Sequence, residues 1–327
     1  MKNISVVTEF LLLGFSGPLR LQFLQSGIFV VIYLMALVGN GLIVTIASLD
    51  FCLHTPMYFF LKNLSLSDVC LMSAIVPKTV ANSLTHINSI SFSGCVMQVF
   101  LVPFAAVAEL FLLTAMSIDR YAAICHPLHY ELIMNRGLCV HMVALSWLSS
   151  ALISIIHTVG TFSLTYCGPN EIQLFFCDIP QLLAITCSEN VTAEIVLILI
   201  NAVLDLGCFI CIIISYIYIF STVRKIPSTE GQSKAYSTCI PHLVVVVLFL
   251  STAFIAYLKP ILGSTSDTDH VLSSFYILLP PSLNPIIYSL RNKAMRAGLE
   301  KLITKKLWVK GISFFSKKKG ILFLMFV

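Results

Sequence analysis

The sequence predicts an all-α membrane protein: a bundle of seven transmembrane helices with its N-terminus outside, followed by a short amphipathic helix. Three observations carry this. First, 58% of the 327 residues are hydrophobic, only 11% are charged, and the mean hydropathy is +0.94. Soluble domains carry about 25% charged residues, so this chain cannot cover its surface with charge and needs lipid as its solvent. Second, seven apolar stretches reach the length of about 20 residues that crosses a hydrocarbon core. Third, the basic residues are asymmetric. With the N-terminus outside, the inner side holds Lys62, Arg120, Arg136, Arg224, Lys225, Lys234 and ten residues of the tail after Tyr288, sixteen of the twenty Lys and Arg. The outer side keeps Lys2, Arg20, Lys78 and Lys259. The net charge of +5 is therefore a property of the cytoplasmic face and gives no argument for nucleic acid.

Each span follows from where charge is missing. No Asp, Glu, Lys or Arg lies between Arg20 and Asp50 (span one), between Lys234 and Lys259 (span six) or between Asp269 and Arg291 (span seven). Residues 138–166 (span four) also lack them, although His141 and His157 lie there. Spans two (57–80, with Lys62, Asp68 and Lys78), three (95–119, with Glu109 before the closing Asp119) and five (195–223, with Asp205) carry isolated charges. The expected organisation is an extracellular N-terminus over 1–24, the bundle over 25–292 and a cytoplasmic segment over 293–327. Met1–Phe10 carries Glu9 and lacks the basic-then-apolar layout of a cleavable signal peptide, so span one is expected to act as its own insertion signal.

The outer side has its own chemistry. Asn3-Ile4-Ser5 and Asn190-Val191-Thr192 are glycosylation sequons on predicted outer segments, whereas Asn63-Leu64-Ser65 lies inside a span and is dismissed. Of the eleven cysteines, Cys95 sits at the outer end of span three, and Cys167, Cys177 and Cys187 lie in the long loop between spans four and five. Four cysteines on the oxidising side can form two disulfides, and spacing alone allows three pairings. The other seven read as buried thiols. No His partners turn the loop cysteines into a zinc site.

Polar residues inside spans are costly and usually face the bundle. Asp68 lies halfway along span two. Glu109 lies in span three, roughly 16 Å before Arg120 at 1.5 Å per residue. Asn40 and Asn284 add amides in spans one and seven. Two readings fit: the acids hold a cation such as sodium, or they are protonated and hydrogen-bonded. Asp205 in span five either lines a pocket or faces water near the outer vestibule. Pro285 removes an intrahelical hydrogen bond and frees a carbonyl, which the neighbouring Asn284 is placed to satisfy. The result is a hinge, with Tyr288 about one turn further on. Lys293–Thr304 sets Met295, Leu299, Leu302 and Ile303 among basic residues, the pattern of a helix lying on the inner leaflet. Lys317-Lys318-Lys319, followed after Gly320 by seven apolar residues, is too short to span.

Span three ends on the adjacent charges Asp119 and Arg120, then Tyr121. Two readings fit here too: basic side chains that merely anchor a helix end, or a switch at the membrane surface. The surrounding motifs decide between them. Gly39-Asn40, Leu53–Leu61 (LHTPMYFFL), Leu64–Asp68, Met116–Tyr130, Ser215-Tyr216, Lys234–His242 (KAYSTCIPH) and Pro281–Asn292 occur in one order and spacing. Together they resemble the vertebrate olfactory (odorant) receptors, terrestrial-type class, of the rhodopsin-like G-protein-coupled receptor superfamily, over roughly Phe10 to Lys301. That class is also signalled by Pro227–Gly231 and Leu128–Glu131.

The resemblance implies a receptor for small volatile odorants. Its pocket would lie among the outer halves of spans three (Val102, Pro103, Ala106, Val107), five (Ile200, Leu204), six (Leu250, Tyr257) and seven (Ser274, Ile277), under the long outer loop. It implies disulfides Cys95–Cys177 and Cys167–Cys187. It implies a cytoplasmic switch of Asp119, Arg120, Tyr121, Tyr216, Asn284, Pro285 and Tyr288 that opens a crevice for the stimulatory, olfactory-type G protein and raises cyclic AMP. The implied setting is the plasma membrane of olfactory sensory cilia, reached with the help of a trafficking chaperone. No cofactor is expected beyond a modulating sodium ion at Asp68 and Glu109.

The few charges near the pocket suggest neutral odorants, with Asp205 and His157 leaving room for one polar handle. The chain departs from the family pattern at Phe249-Leu250-Ser251, where Phe-Tyr-Gly is usual. It also departs at Ile118, usually aromatic, and at Pro241, where Ser is common; Pro103 adds a kink site in span three. Rival classes fit less well. A transporter would show inverted repeats and a continuous polar path. An intramembrane enzyme would show a nucleophile–base pair or a metal cluster. An amine receptor of the same superfamily would carry an acid where Val102 stands.

Overall fold

A computed structural model describes residues 7–13, 19–167, 169–188, 191–261, 268–291 and 295–300. Seven long helices cross one another as a bundle: α1 (Leu19–Leu49), α2 (Pro56–Thr85), α3 (Phe92–Cys125), α5 (Arg136–Phe162), α7 (Thr192–Val223), α8 (Thr229–Ile261) and α9 (Thr268–Arg291). Two short helices, α4 (Tyr130–Ile133) and α6 (Ile179–Ile185), lie in the loops before α5 and before α7. Among the described residues, six helices are long and apolar enough to cross a membrane, and Ile277–Tyr288 of α9 is a shorter apolar run. Residues 295–300 are helical, with Met295 and Gly298 buried. Asn3, Asn190 and the tail 301–327 lie outside the described residues.

The helices begin where the sequence frees the backbone from its partners. Thr55 is extended and Pro56 opens α2, where its missing N–H costs nothing. The Ser91 side chain accepts from the Gly94 amide at 3.2 Å to start α3, and Asn135 accepts from Leu138 at 2.9 Å to start α5. α2 stops at His86, which takes a left-handed conformation with φ 56°. α1 starts ahead of the boundary at residue 25 drawn from hydropathy and takes Arg20 into its first turns.

Helix α3 is the axis of the bundle, packed against α2, α5, α7 and α8, while α1 closes against α2 and α9. α3 is mostly enclosed, whereas α7 is almost wholly open to the surroundings. Buried side chains form two layers. The inner layer gathers Ile43, Leu61, Leu113, Met116, Tyr216, Ile219 and Tyr288; the outer one gathers Phe10, Phe29, Ile75, Val99, Phe176 and Ile277. Between α2 and α5, Trp147 Nε1 donates to Asn63 Oδ1 at 3.1 Å, and Asn63 Nδ2 donates to the Phe59 carbonyl at 2.8 Å. Both ends of that amide are used within the bundle.

A small sheet caps the outer end. β1 (Glu9–Leu12) pairs antiparallel with β2 (Ser89–Ser91) and parallel with β3 (Glu171–Ile172), in the order β2-β1-β3. Alternation turns Phe10 and Leu12 inward. Phe10 is fully buried, stacked on Phe92 at 6.3 Å and edge-on to Tyr166 at 5.6 Å. The extracellular start of the chain is thus stitched to two outer loops, which its four-residue apolar pattern was too short to announce.

Glycine at 39 permits a close approach of α1 to α9. A Cβ built there would stand 2.8 Å from Pro285 Cβ, whereas one at Gly41 meets nothing within 4 Å. Gly39→Ala is expected to destabilise the purified protein by about 1–3 kcal/mol through overpacking, read as a lowered thermal unfolding midpoint. Gly41→Ala is expected to leave the midpoint unchanged or slightly raised. Equal midpoints for the two variants would show that the α1–α9 approach is not tight.

Candidate functional site

The polar residues of the spans gather at three depths. The innermost group surrounds the end of α3. Arg120 donates from Nε at 3.0 Å and from Nη2 at 2.5 Å to Asp119 Oδ2. Tyr130, at the start of α4, donates its hydroxyl to Asp119 Oδ1 at 2.7 Å. Burial, and then that bond, hold the Tyr130 hydroxyl above the usual tyrosine range. Asp119 is therefore satisfied on both oxygens, and Arg120 is held against its own helix. Tyr121 stands apart, with its hydroxyl 3.1 Å from His126 Nε2.

About two turns deeper along α3, a chain of hydrogen bonds joins three spans. The Tyr216 hydroxyl of α7 and His242 Nδ1 of α8 are 2.8 Å apart, and His242 Nε2 is 3.0 Å from the Leu113 carbonyl of α3. An imidazole with one N–H makes both bonds if Nε2 donates to the carbonyl and Nδ1 accepts from the tyrosine. The role of His242 was missed in the sequence, although an ionisable side chain in an apolar run is itself a signal. Tyr288 is buried beside this layer, and its hydroxyl has no partner.

The middle group is fully enclosed. Asn284 Nδ2 donates to both Asp68 oxygens at 3.1 Å and to Glu109 Oε1 at 3.2 Å. The amide thus joins α9 to α2 and α3. The expectation that Asn284 satisfies the carbonyl freed by Pro285 is corrected. Pro285 leaves the carbonyl four residues back, that of Pro281, without its helical donor, and Asn40 Nδ2 of α1 fills it at 2.9 Å. Asn284 is drawn to the two acids instead, because an amide donor there serves two buried carboxylates at once. Asn284 Oδ1 and Asn40 Oδ1 are buried without partners. The two carboxylates are hard-oxygen donors of the type small cations prefer.

The outer group is a set of mostly apolar helix faces beneath the long outer loop. Val102 and Val107 are buried on α3, Pro103 and Ala106 partly so, and Ile277 of α9 is fully buried. Leu250 packs against the inner layer next to buried Phe249. The side chains of Tyr257 and Ser274 lie outside the described residues. On α7 the face turned into the bundle runs through Glu194, Ile198, Asn201, Asp205, Cys208 and Ile212, while Ile200 and Leu204 lie on the exposed flank. A pocket read from helix spacing one residue out of phase selects the flank and misses Asn201. His157, a candidate polar handle, is already engaged: its Nδ1 lies 2.6 Å from Glu194 Oε1, joining α5 to α7.

The lid is held by Cys95–Cys177, with Cα atoms 5.5 Å apart, and is folded on itself by Cys167–Cys187, with Cα atoms 5.9 Å apart. Gln98 of α3 reinforces the first link. It accepts from the Cys177 amide at 2.9 Å and donates to the Ala74 carbonyl at 3.0 Å. Asp178 caps α6, accepting from the Ile179 amide at 2.9 Å.

Comparisons with known proteins agree with this arrangement. The family model described as olfactory receptor matches residues 29–306. Human olfactory receptor 14A16 is 63% identical over 94% of this chain and 99% of its own length. Human olfactory receptor 14A2 is 52% identical over 93% of the chain and 97% of its own length. Gorilla olfactory receptor 1G1 is 47% identical over 95% and 98%. Among solved structures, squid rhodopsin superposes with a TM-score of 0.71 over 90% of this chain and 88% of its own, at 19% identity.

Burial in the lid raises the Asp178 carboxyl from 3.8 to about 6, against the opposing pull of the Ile179 hydrogen bond. A carboxyl whose folded pKa lies above its unfolded value favours folding below the unfolded value, and that contribution is lost as pH rises through the folded one. The thermal midpoint of the wild-type protein is therefore expected to fall relative to that of Asp178→Asn as pH rises from 4.5 to 7. A wild-type-to-variant difference that does not change with pH would place Asp178 in water.

Proposed function

The chain belongs to the olfactory receptor family, and from that premise we propose that it binds a small volatile molecule among the outer halves of α3, α7, α8 and α9 and signals through the stimulatory, olfactory-type G protein to raise cyclic AMP. The observation that carries this reading is the linkage on the cytoplasmic side. Arg120 is paired with Asp119, and α7, α8 and α3 are tied through Tyr216, His242 and the Leu113 carbonyl. These are exchangeable hydrogen bonds, not covalent links. When they are released, the inner end of α8 is free to swing out, and Arg120, Tyr216 and the unpartnered Tyr288 hydroxyl become available to line a crevice. A ligand drives that change only by binding the open arrangement more tightly than the closed one.

The middle group serves as the modulating site. Asp68 and Glu109 supply charge for one sodium ion, with Asn284 between them. Sodium there would stabilise whichever arrangement keeps both acids together. The protein would act at the plasma membrane of olfactory cilia and would reach it with a trafficking helper.

Two experiments test the reading. Cells expressing the protein with an olfactory G protein and a trafficking helper are expected to raise cyclic AMP with dose across a volatile panel. Arg120→Ala should abolish the response while surface staining persists, and a full response from that variant would remove Arg120 from the switch. Agonist potency is also expected to change with external sodium, and either Asp68→Asn or Glu109→Gln should remove that change. A sodium-independent wild type would leave the two acids a purely structural role.

A further inference from the structure

Asn201 and Asp205 stand one turn apart on the face of α7 that turns into the bundle, flanked on that face by Ile198 and Cys208. Asn201 Oδ1 and Asp205 Oδ1 are both buried, and neither has a hydrogen-bond partner among the described residues. The depth suits a ligand. Asp205 lies 13 residues below the outer end of α7 at Thr192, about 20 Å at 1.5 Å per residue, and the same reckoning puts it roughly 16 Å outward of Tyr216. It therefore sits between the lid and the cytoplasmic switch.

Such a pair calls for a donor. In a span no water is at hand to satisfy a stranded carboxylate oxygen, and leaving one unpaired is costly. Among the described residues, each other acid of the spans has at least one side-chain partner: Asp68 and Glu109 have Asn284, Glu194 has His157 on Oε1 although its Oε2 has none, and Asp119 has Arg120 and Tyr130. Asp205 Oδ1 is buried with none.

We propose that Asn201 and Asp205 form the head-group subsite for a protonated aliphatic amine, whose alkyl chain lies along the apolar wall of α3. The proposal deepens the reading of this bundle as a small-molecule receptor and rests on it. Two features select an ammonium over an alcohol. Residues four apart on a helix present side chains about 5–6 Å apart; bridging two acceptors at that distance takes two N–H donors, and an ammonium has three whereas a hydroxyl has one. The ammonium also supplies the countercharge that Asp205 lacks. The acid thus sits on span five, at the Asp205 that the sequence left as a candidate polar handle, and not on span three at Val102; on this proposal the ligand is cationic where the sequence suggested a neutral one.

The test is binding by the purified full-length receptor in phospholipid nanodiscs, read as ligand-induced shift of the thermal midpoint, with n-hexylamine and 1-hexanol as probes. n-Hexylamine is expected to act at concentrations about tenfold to a hundredfold lower than 1-hexanol, the range of one charge-assisted hydrogen bond. Asp205→Asn, nearly the same shape, should abolish that preference, and Val203→Ala on the exposed flank should keep it. Should Asp205→Asn not fold, Asn201→Ala retains the charge and is expected to weaken amine binding severalfold. Equal action of amine and alcohol on the wild type, or undiminished amine preference in both Asp205→Asn and Asn201→Ala, overturns the subsite. Amine binding without a cyclic AMP response would keep the subsite and overturn the proposed transducer, so the two failures are distinct.

Discussion

Asn284 donates to two carboxylates at once, and the rest of the bundle depends on that knot. The amide joins Asp68 of α2 and Glu109 of α3 to α9. One residue on, Pro285 leaves the Pro281 carbonyl without its helical donor, and Asn40 of α1 supplies a replacement. In water each of these groups would find a partner in solvent. In lipid none would, so these groups are satisfied only where another helix meets them. Four helices are fixed in register by four polar side chains and one backbone carbonyl. Gly39, with no side chain to hold α1 away from Pro285, permits the approach that makes the Asn40 bond possible.

The two ends of the bundle are held by different chemistry, and the difference assigns them different freedom. Outside, the links are covalent or multiple: Cys95–Cys177, Cys167–Cys187, the Gln98 bridge and a three-stranded sheet over buried Phe10. Inside, they are single hydrogen bonds between side chains, from Tyr216 to His242 and from His242 to a carbonyl. α7, open along most of its length, is tied inward among the described residues by His157 to Glu194 near its outer end, by Cys208 to Thr114 midway, and by Cys125 to Thr222 and Tyr216 to His242 near its inner end. Asn201 and Asp205 lie between the outermost tie and the others.

Much of this was legible in the chain. The seven spans follow from missing charge, the orientation from sixteen basic residues on one side, and the two disulfides from the family resemblance. Charge and motif are local or nearly so. What escaped were partners. His242 stood in a quoted motif without a role, because its two bonds reach Tyr216 and Leu113, 26 and 129 residues away. Glu194 closes an outer loop in the sequence, and only the packing of α7 against α5 reveals it as the mate of His157. β1 pairs with segments about 80 and 160 residues on, and a four-residue strand carries too little periodicity to be seen alone.

By itself the sequence determined the solvent, the number of spans, the side on which each end lies and the identity of the polar residues that had to face inward. Those follow from the cost of charge in hydrocarbon, which each residue bears wherever the helices settle. The tertiary structure alone decided which polar group meets which. That choice turned Asn284 to the acids and Asn40 to the proline-freed carbonyl, and it placed Asn201 and Asp205, one residue out of phase with Ile200 and Leu204, on the inner face. A rotation of about 100° per residue separates those alternatives, and only the packing of one helix on another sets that angle.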